Sequence, residues 1–181
     1  MSEYQFVEKP LLAQLKSLGW KLLDLGEGIP QDPATSLRDD FRETVIKALF
    51  MQAIYRLNIV TEGEHKGQPW LTDEQLDTIY NDFTRLGSDK LLAANQQFLA
   101  WLSDYQVDKN HVTGENNPRV TIINFDQWQA NSLYAINQFR LDTPGSSKKQ
   151  IRPDIVLFVN GLPLVVIECK IPDANSANPI Y

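Results

Sequence analysis

The 181-residue sequence contains a single cysteine, Cys169, and only two histidines, His65 and His111. One cysteine excludes an internal disulfide framework, and histidines without partners at ligand spacing argue against a zinc site. An unpaired thiol is usual in a reducing compartment, so we predict a cytoplasmic protein. Cys169 follows an apolar run, which predicts a buried core residue rather than a reactive thiol.

Long apolar runs are missing as well. No stretch of roughly eighteen apolar residues could cross a membrane, and we find no charged, apolar and small-residue leader for export. Acidic residues outnumber basic ones by 23 to 17, giving a net charge of −6. Free-standing DNA-binding domains usually carry a basic face, so this charge argues against one. The length and the 43% hydrophobic content predict a single globular domain over residues 1–181.

The most informative stretch is residues 152–170, in which two apolar, β-branched runs flank Asn160-Gly161. An Asn-Gly pair between such runs is a strong β-hairpin signal. Asp154 opens the first run, and Glu168 and Lys170 close the second. An ionised carboxylate at the end of a buried strand is costly unless it is paired or bound to a metal. These three charged residues are therefore the candidate site.

The type of turn decides whether the three charges converge. Glu168 and Lys170 lie two residues apart, so they leave the same face of a strand. A two-residue turn would place Asp154 opposite Ile167, on the other face. A three-residue loop with Gly161 in a left-handed bulge would make Asp154 a diagonal, same-face neighbour of Glu168. If the three charges act together, we expect the second arrangement.

Two carboxylates and an ammonium group at the rim of a strand pair form a hard-oxygen site suited to Mg²⁺. Such an ion would lower the pKa of a bound water and neutralise charge on a reacting phosphate. Lys170 would orient that water or stabilise the transition state.

The pattern of Pro-Asp, thirteen residues and Glu-x-Lys resembles the PD-(D/E)xK signature of restriction-endonuclease-like nucleases. The whole stretch from Arg152 to Lys170 resembles the nuclease segment of the R subunit of type I restriction enzymes, the subunit that carries motor and cleavage functions. Residues 7–20, 53–58 and 137–139 add to this resemblance. It covers essentially all of this chain, but only the first part of the family's subunit.

The resemblance implies a restriction-endonuclease-like α+β fold and a Mg²⁺-dependent endonuclease acting on double-stranded DNA. Asp154, Glu168 and the backbone carbonyl of Cys169 would hold the ion, and Lys170 would position or activate water. The intact subunit would couple cleavage to ATP-driven translocation, in complex with modification and specificity subunits. This sequence has no Gly-x-x-x-x-Gly-Lys-Thr-type phosphate loop, so ATP would bind only in a missing motor region. We therefore expect a fragment that cleaves DNA weakly or not at all alone.

A first helix is predicted over residues 2–18 from its apolar periodicity; Pro10 means that it begins at Lys9-Pro10 or begins near Ser2 with a kink. Nucleases resembling this one often supply an extra active-site glutamate from the first helix, and Glu8 is the candidate. The alternative is an ordinary helix-start acid favoured by the helix dipole. Glu43 competes for the role, but Lys47 four residues later favours a surface ion pair.

Helical patterns predominate up to residue 118 and extended patterns follow. Helices are predicted over 37–57, 72–85 and 88–105, the second opened by a capping box of Thr72 and Gln75. Strands are predicted at 120–125, at 131–141 and in the two arms of the hairpin. The prediction is an α+β fold with a mainly helical part, 1–118, and a mixed sheet of four strands, 119–170.

Two other functions stay open at this stage. The hairpin would also suit a non-catalytic docking domain of a DNA-processing complex, with Glu168 and Lys170 merely paired at the strand end. The same core would also suit a repair or recombination nuclease. Lys148, Lys149 and Arg152 precede Asp154, and they form either a DNA contact or a solvated loop.

Overall fold

A computed structural model of the chain describes residues 2–86 and 91–170. The described chain forms two compact units, one of residues up to 43, 133–158 and from 163 onwards, the other of residues 44–132 and 159–162. No helix in the described ranges is both long enough and apolar enough to span a membrane. The helices are α1 (Lys9–Ser17), α2 (Lys47–Leu57), α3 (Asp73–Thr84) and α4 (Leu91–Asp104). The strands are β1 (Lys21–Leu23), β2 (Tyr105–Gln106), β3 (Arg119–Val120), β4 (Leu133–Asn137), β5 (Leu141–Asp142), β6 (Gln150–Ile151), β7 (Ile155–Val159) and β8 (Leu162–Ile167).

The main sheet has four strands in the order β1-β4-β7-β8. β1 runs parallel to β4, with Lys21 aligned with Tyr134 and Leu23 with Ile136. β7 and β8 are joined by a tight turn and are therefore antiparallel, which makes the sheet mixed. The predicted α+β class is confirmed. β1 was not predicted, because three residues are too few for a strand periodicity to stand out.

The predicted strand at 120–125 is shorter than expected and lies outside the main sheet. Only Arg119–Val120 forms a strand, β3, which pairs antiparallel with β2 in the second unit. Beyond it, Thr121 N donates to Asn58 Oδ1 at 2.7 Å, and Asn58 Nδ2 donates to Thr121 O at 3.0 Å. An asparagine side chain thus replaces the neighbouring strand as the partner of this backbone.

Helix α1 packs one face on the main sheet. The buried cluster there comprises Leu12, Leu15, Ala135, Ile155, Leu157 and Cys169. Before α1, Tyr4–Glu8 forms a π-helical turn, in which Lys9 N–H donates to Tyr4 O. Pro10 lies in the first turn of α1, where its missing N–H has no partner to lose. The helical segment therefore begins near Ser2 and changes type at Lys9, so each of the two predicted starts describes part of it.

The prediction of one helix over 37–57 is wrong in its first half, since α2 begins only at Lys47. Leu37 has a left-handed backbone (φ 60°), which ends the preceding 3-10 turn at Pro33–Ser36. Arg38 is then buried (3% exposed), and its guanidinium donates to Ser36 Oγ, Glu43 O and Arg140 O. The buried guanidinium needs hydrogen-bond acceptors, and an irregular backbone supplies two of them as carbonyl groups. Helix propensity, which depends on neighbouring residues only, does not predict this.

The second unit contains α2, α3 and α4 around buried aromatic residues, including Phe50 and Phe83, whose rings lie 5.6 Å apart. The predicted capping box of α3 is confirmed. Gln75 N donates to Thr72 Oγ1 at 3.2 Å, and Thr72 N donates to Gln75 Oε1 at 3.1 Å. α4 is described from Leu91, and its predicted start at Ser88 lies outside the described residues. The single domain over 1–181 and its division at residue 118 stay predictions.

Candidate active site

The carboxylate of Asp154 reaches the end of the second hairpin strand. Asp154 immediately precedes β7, and its Oδ2 accepts a hydrogen bond from Cys169 N at 2.6 Å. This nitrogen belongs to the peptide bond that joins Glu168 to Cys169. The hydrogen bond therefore brings the first predicted acid to the backbone of the Glu-x-Lys segment.

The hairpin has the two-residue turn, not the three-residue loop that convergence was expected to need. Asn160 (φ 51°) and Gly161 (φ 79°) both have left-handed backbones, and strands flank them directly. With uninterrupted pairing, this turn would put Asp154 opposite Ile167. The observed packing does not follow this pairing. Ile167 packs against the buried cluster that contains Ile155, the residue after Asp154.

A buried thiol lies between Glu168 and Lys170 in the sequence. Cys169 is 4% exposed and packs in the α1 cluster, as predicted, whereas Glu168 and Lys170 on either side are exposed. Since side chains alternate along an extended chain, Glu168 and Lys170 leave the side opposite to Cys169. Burial raises the pKa of the Cys169 thiol, and the negative charges of Asp154, Glu8 and Glu168 raise it further.

Glu8, the candidate glutamate of the first helix, is buried beside this region. It is 3% exposed, and Gln138 Nε2 donates to both of its carboxylate oxygens, at 3.1 and 3.0 Å. Burial raises the pKa of Glu8, the hydrogen bond from Gln138 lowers it, and the charge of Asp154 raises it again. An ordinary helix-start acid would be solvated, so this burial favours the functional interpretation of Glu8.

Gln138 lies in the stretch 137–139 that adds to the family resemblance, but nothing in the sequence placed it in the site. The pattern at 131–141 predicted one continuous strand, but β4 ends at Asn137 and Gln138 has a left-handed backbone (φ 52°). This conformation turns Gln138 N towards Asp154 O, to which it donates at 2.8 Å. One residue thus contacts both Glu8 and Asp154.

Glu43, the competing candidate for the glutamate of the site, and Lys47, its expected ion-pair partner, contact other residues. Glu43 Oε2 accepts a hydrogen bond from Asp39 N at 3.1 Å, and Lys47 Nζ lies 3.6 Å from Asp77 Oδ1. Lys148, Lys149 and Arg152, the basic cluster before Asp154, are exposed. Their exposure is compatible with both interpretations given above.

The oxygen atoms near Asp154 suit a hard cation in kind. Asp154 retains Oδ1 beyond the hydrogen bond to Cys169, Glu168 is exposed, and the Cys169 carbonyl lies between the two charged residues. Across residues 2–86 and 91–170, no three side chains of His, Cys, Asp or Glu form a group that could hold a metal ion by themselves. A bound cation would therefore need backbone and water oxygens as well, as Mg²⁺ does in many sites. Its binding stays a prediction.

The burial of Glu8 predicts how stability depends on pH. A raised pKa in the folded protein means that folding favours the protonated form, so the stabilisation is present below the ordinary value of 4.5 and is lost as pH rises through the folded pKa. Glu8→Gln should therefore be more stable than wild type at pH 7, by on the order of 1 kcal/mol, and equal to it near pH 4. Urea unfolding midpoints at the two pH values measure the difference.

The exposed Glu115 offers a matched control, since Glu115→Gln should leave the midpoint unchanged at both pH values. Equal destabilisation by Glu8→Gln at pH 4 and pH 7 would contradict a burial-raised pKa of Glu8.

The fold and the site define an α+β protein with a mixed four-stranded sheet, in which Asp154 contacts the backbone between Glu168 and the exposed Lys170. The family model described as Type I restriction enzyme R protein N terminus matches residues 1–179. The chain belongs to this family. It is similar to the Haemophilus influenzae type I restriction enzyme HindI endonuclease subunit, with 30% identity over 173 residues. It is also similar to a candidate type I restriction enzyme MjaIXP endonuclease subunit of Methanocaldococcus jannaschii, with 27% identity over 176 residues.

These alignments cover 95% and 97% of this chain, but only 15% and 16% of the two relatives. The chain thus spans about a sixth of the length of the curated relatives that it matches. The activity of each relative belongs to a protein about six times as long as this chain.

Proposed function

We propose that this chain is the nuclease region of a Mg²⁺-dependent endonuclease in a type I restriction-modification system, which hydrolyses phosphodiesters of double-stranded DNA. The family match and the names of the two relatives support the restriction role. The observation that carries the catalytic part is the hydrogen bond from Cys169 N to Asp154 Oδ2 at 2.6 Å. It brings Asp154 to the Glu168-Cys169 peptide, within the Glu-x-Lys segment.

The proposed ligands of the ion are Asp154, Glu168 and the carbonyl of Cys169. The Asp154 carboxylate is fixed by its hydrogen bond, while the exposed Glu168 can turn towards it. Carboxylate and carbonyl oxygens are the ligands that Mg²⁺ prefers. When bound, Mg²⁺ would lower the pKa of a coordinated water and neutralise charge on the phosphate.

The remaining residues act on the substrate and the attacking water. In hydrolysis, the water oxygen bonds to phosphorus, the phosphorus–oxygen ester bond breaks, and the leaving oxygen takes a proton. Lys170 is exposed next to the proposed ligands, where its ammonium group would orient the water and stabilise the charge on phosphorus. Glu8, buried and bonded to Gln138, would add a further acid to the site.

The proposed assembly reaches beyond this chain. We propose that the intact subunit couples cleavage to ATP-driven translocation and works with modification and specificity subunits in the cytoplasm. The net charge of −6 argues against strong DNA binding by this chain alone, and in the proposed assembly the DNA would be held by other parts of the complex. The family match favours restriction over a repair or recombination nuclease with the same core.

Isothermal titration of this chain with Mg²⁺ or Mn²⁺ tests the metal site. Wild type should bind an ion, and Glu168→Ala should bind it at least tenfold more weakly, because one of two carboxylate ligands is lost. Glu115→Ala removes an exposed carboxylate from the other compact unit and should bind as wild type does.

Equal binding isotherms for wild type and Glu168→Ala would show that Glu168 is not a ligand. If wild type bound no Mn²⁺ at millimolar concentration, the alternative would be favoured. In that alternative the chain is a non-catalytic docking domain, and Glu168 and Lys170 only pair with each other at the strand end.

A further inference from the structure

The backbone of Gln138 departs from the strand that precedes it. Asn137, the last residue of β4, is fully buried; its Oδ1 accepts from Leu25 N at 2.6 Å and its Nδ2 donates to Gly26 O at 3.2 Å. Gln138 follows with φ 52°, a left-handed conformation that is uncommon for glutamine. Such a conformation persists only where surrounding contacts hold it, and it is enriched at functional sites.

The contacts of Gln138 connect two acids from distant parts of the sequence. Its N–H donates to the carbonyl of Asp154, immediately before β7, at 2.8 Å. Its side-chain amide donates to both carboxylate oxygens of Glu8, 130 residues away in the first helical segment. Gln138 and Glu8 are 6% and 3% exposed, so water does not compete for these hydrogen bonds.

We propose that Gln138 is a positioning residue, which holds the carboxylate of Glu8 in a fixed place relative to Asp154. This inference rests on the proposed nuclease function and extends it to a residue outside the PD-(D/E)xK pattern. The left-handed turn directs the Gln138 N–H to Asp154 and leaves its side chain free to bind Glu8. Without the amide, the Glu8 carboxylate would lose a donor shared by both of its oxygens and would take up other rotamers.

The test uses the intact subunit in its complex with the partner subunits. Gln138→Met keeps the length of the side chain but removes the carbonyl and the NH₂ of the amide group. The turnover number for DNA cleavage should fall roughly 10- to 100-fold, because a misplaced catalytic group costs about this much, while the KM for DNA stays within about twofold. ATP hydrolysis should be unchanged, since this sequence has no phosphate loop of the kind that binds ATP.

A double-mutant cycle separates positioning from general destabilisation. If Gln138 acts through Glu8, Gln138→Met should have no further effect on cleavage in a Glu8→Gln background. Gln75→Met is the matched control, because Gln75 is also buried and its Nε2 donates to a carboxylate, that of Asp108, in the other compact unit. Gln75→Met should lower the melting temperature without changing the turnover number.

The positioning role would be overturned if the effects of Gln138→Met and Glu8→Gln on cleavage were additive. It would also be overturned if Glu8→Gln left cleavage unchanged. Lys170→Ala, assayed in parallel, reports on the nuclease proposal itself. Full activity of Gln138→Met beside an inactive Lys170→Ala would reject the positioning role alone, whereas full activity of Lys170→Ala would reject the proposed mechanism.

A second variant keeps the test decisive if Gln138→Met does not fold. Gln138→Asn retains an amide and tolerates a left-handed backbone, but it is shorter by one methylene and would not reach Glu8. It should show the same loss of turnover with a cooperative thermal unfolding transition. A folded Gln138→Asn with wild-type turnover would contradict the proposal.

Discussion

Replacing Lys170 by alanine in the intact subunit, assembled with its partners, is expected to lower the rate of DNA cleavage roughly 10²- to 10⁴-fold. Lys170 is exposed beside the proposed metal ligands, and within the described part of the chain it makes no hydrogen bond or ion pair. Its loss should therefore affect chemistry and not folding. Conversion of supercoiled to linear plasmid measures cleavage, and ATP hydrolysis in the same reaction shows that the complex has assembled.

Lys148→Ala is the control, because it removes an exposed positive charge of the loop before β7 without touching the Glu-x-Lys segment. It should change cleavage less than tenfold, and any change should shrink as the salt concentration rises, as expected for the loss of a phosphate contact. If Lys170→Ala cleaves as fast as Lys148→Ala, Lys170 has no part in the reaction.

The features that the sequence predicted are those with a local chemical signature. Asn160-Gly161 predicted the hairpin because both residues adopt left-handed conformations easily, and both do so in the structure. The capping box of Thr72 and Gln75 depends on residues three positions apart, and it formed as predicted. Cys169 was predicted to be buried because it ends an apolar run, and it is.

The features that escaped prediction depend on contacts between distant residues. Gln138 lies in an alternating pattern that predicts a strand, but it has a left-handed backbone and contacts Glu8, 130 residues earlier. Arg38 lies in a plausible helix, but its guanidinium binds Arg140 O, 102 residues away. No local pattern encodes such partners. The backbone therefore departs from its local propensity at two positions where a buried polar group has to be satisfied.

The turn differs from the one that convergence of the three charges was expected to need. We expected convergence to need a three-residue loop, since uniform pairing after a two-residue turn puts Asp154 opposite Ile167. The turn has two residues, yet the Asp154 carboxylate still binds Cys169 N, and Ile167 packs with Ile155. A turn fixes the pairing only next to itself. Pro163, which has no N–H to donate, lies in the strand between the turn and Glu168, so uniform pairing could not be assumed.

Gly161→Ala, in the same turn, should lower the free energy of unfolding of the second compact unit by roughly 3–5 kcal/mol. Losses of this size are expected when a substitution forces the backbone to move. A Cβ built on Gly161 would lie 2.6 Å from Ile46 O and 2.7 Å from Phe50 N, both of which are backbone atoms at the start of α2. Gly161 O also accepts a hydrogen bond from Ile46 N at 2.9 Å, and this bond would break if the turn moved away from α2. Urea unfolding followed by far-UV circular dichroism measures the change.

The positive φ of Gly161 contributes to this penalty, so a control must separate backbone strain from the clash. Gly67 has a similar conformation (φ 88°) in the same unit, but no heavy atom lies within 4 Å of the position of its Cβ. Gly67→Ala should cost only about 1–2 kcal/mol, the price of a left-handed backbone for alanine. The excess loss in Gly161→Ala then measures the close approach to α2. Equal losses in the two variants would mean that α2 moves freely away from the turn, and that the hairpin tip is not held by Ile46 and Phe50.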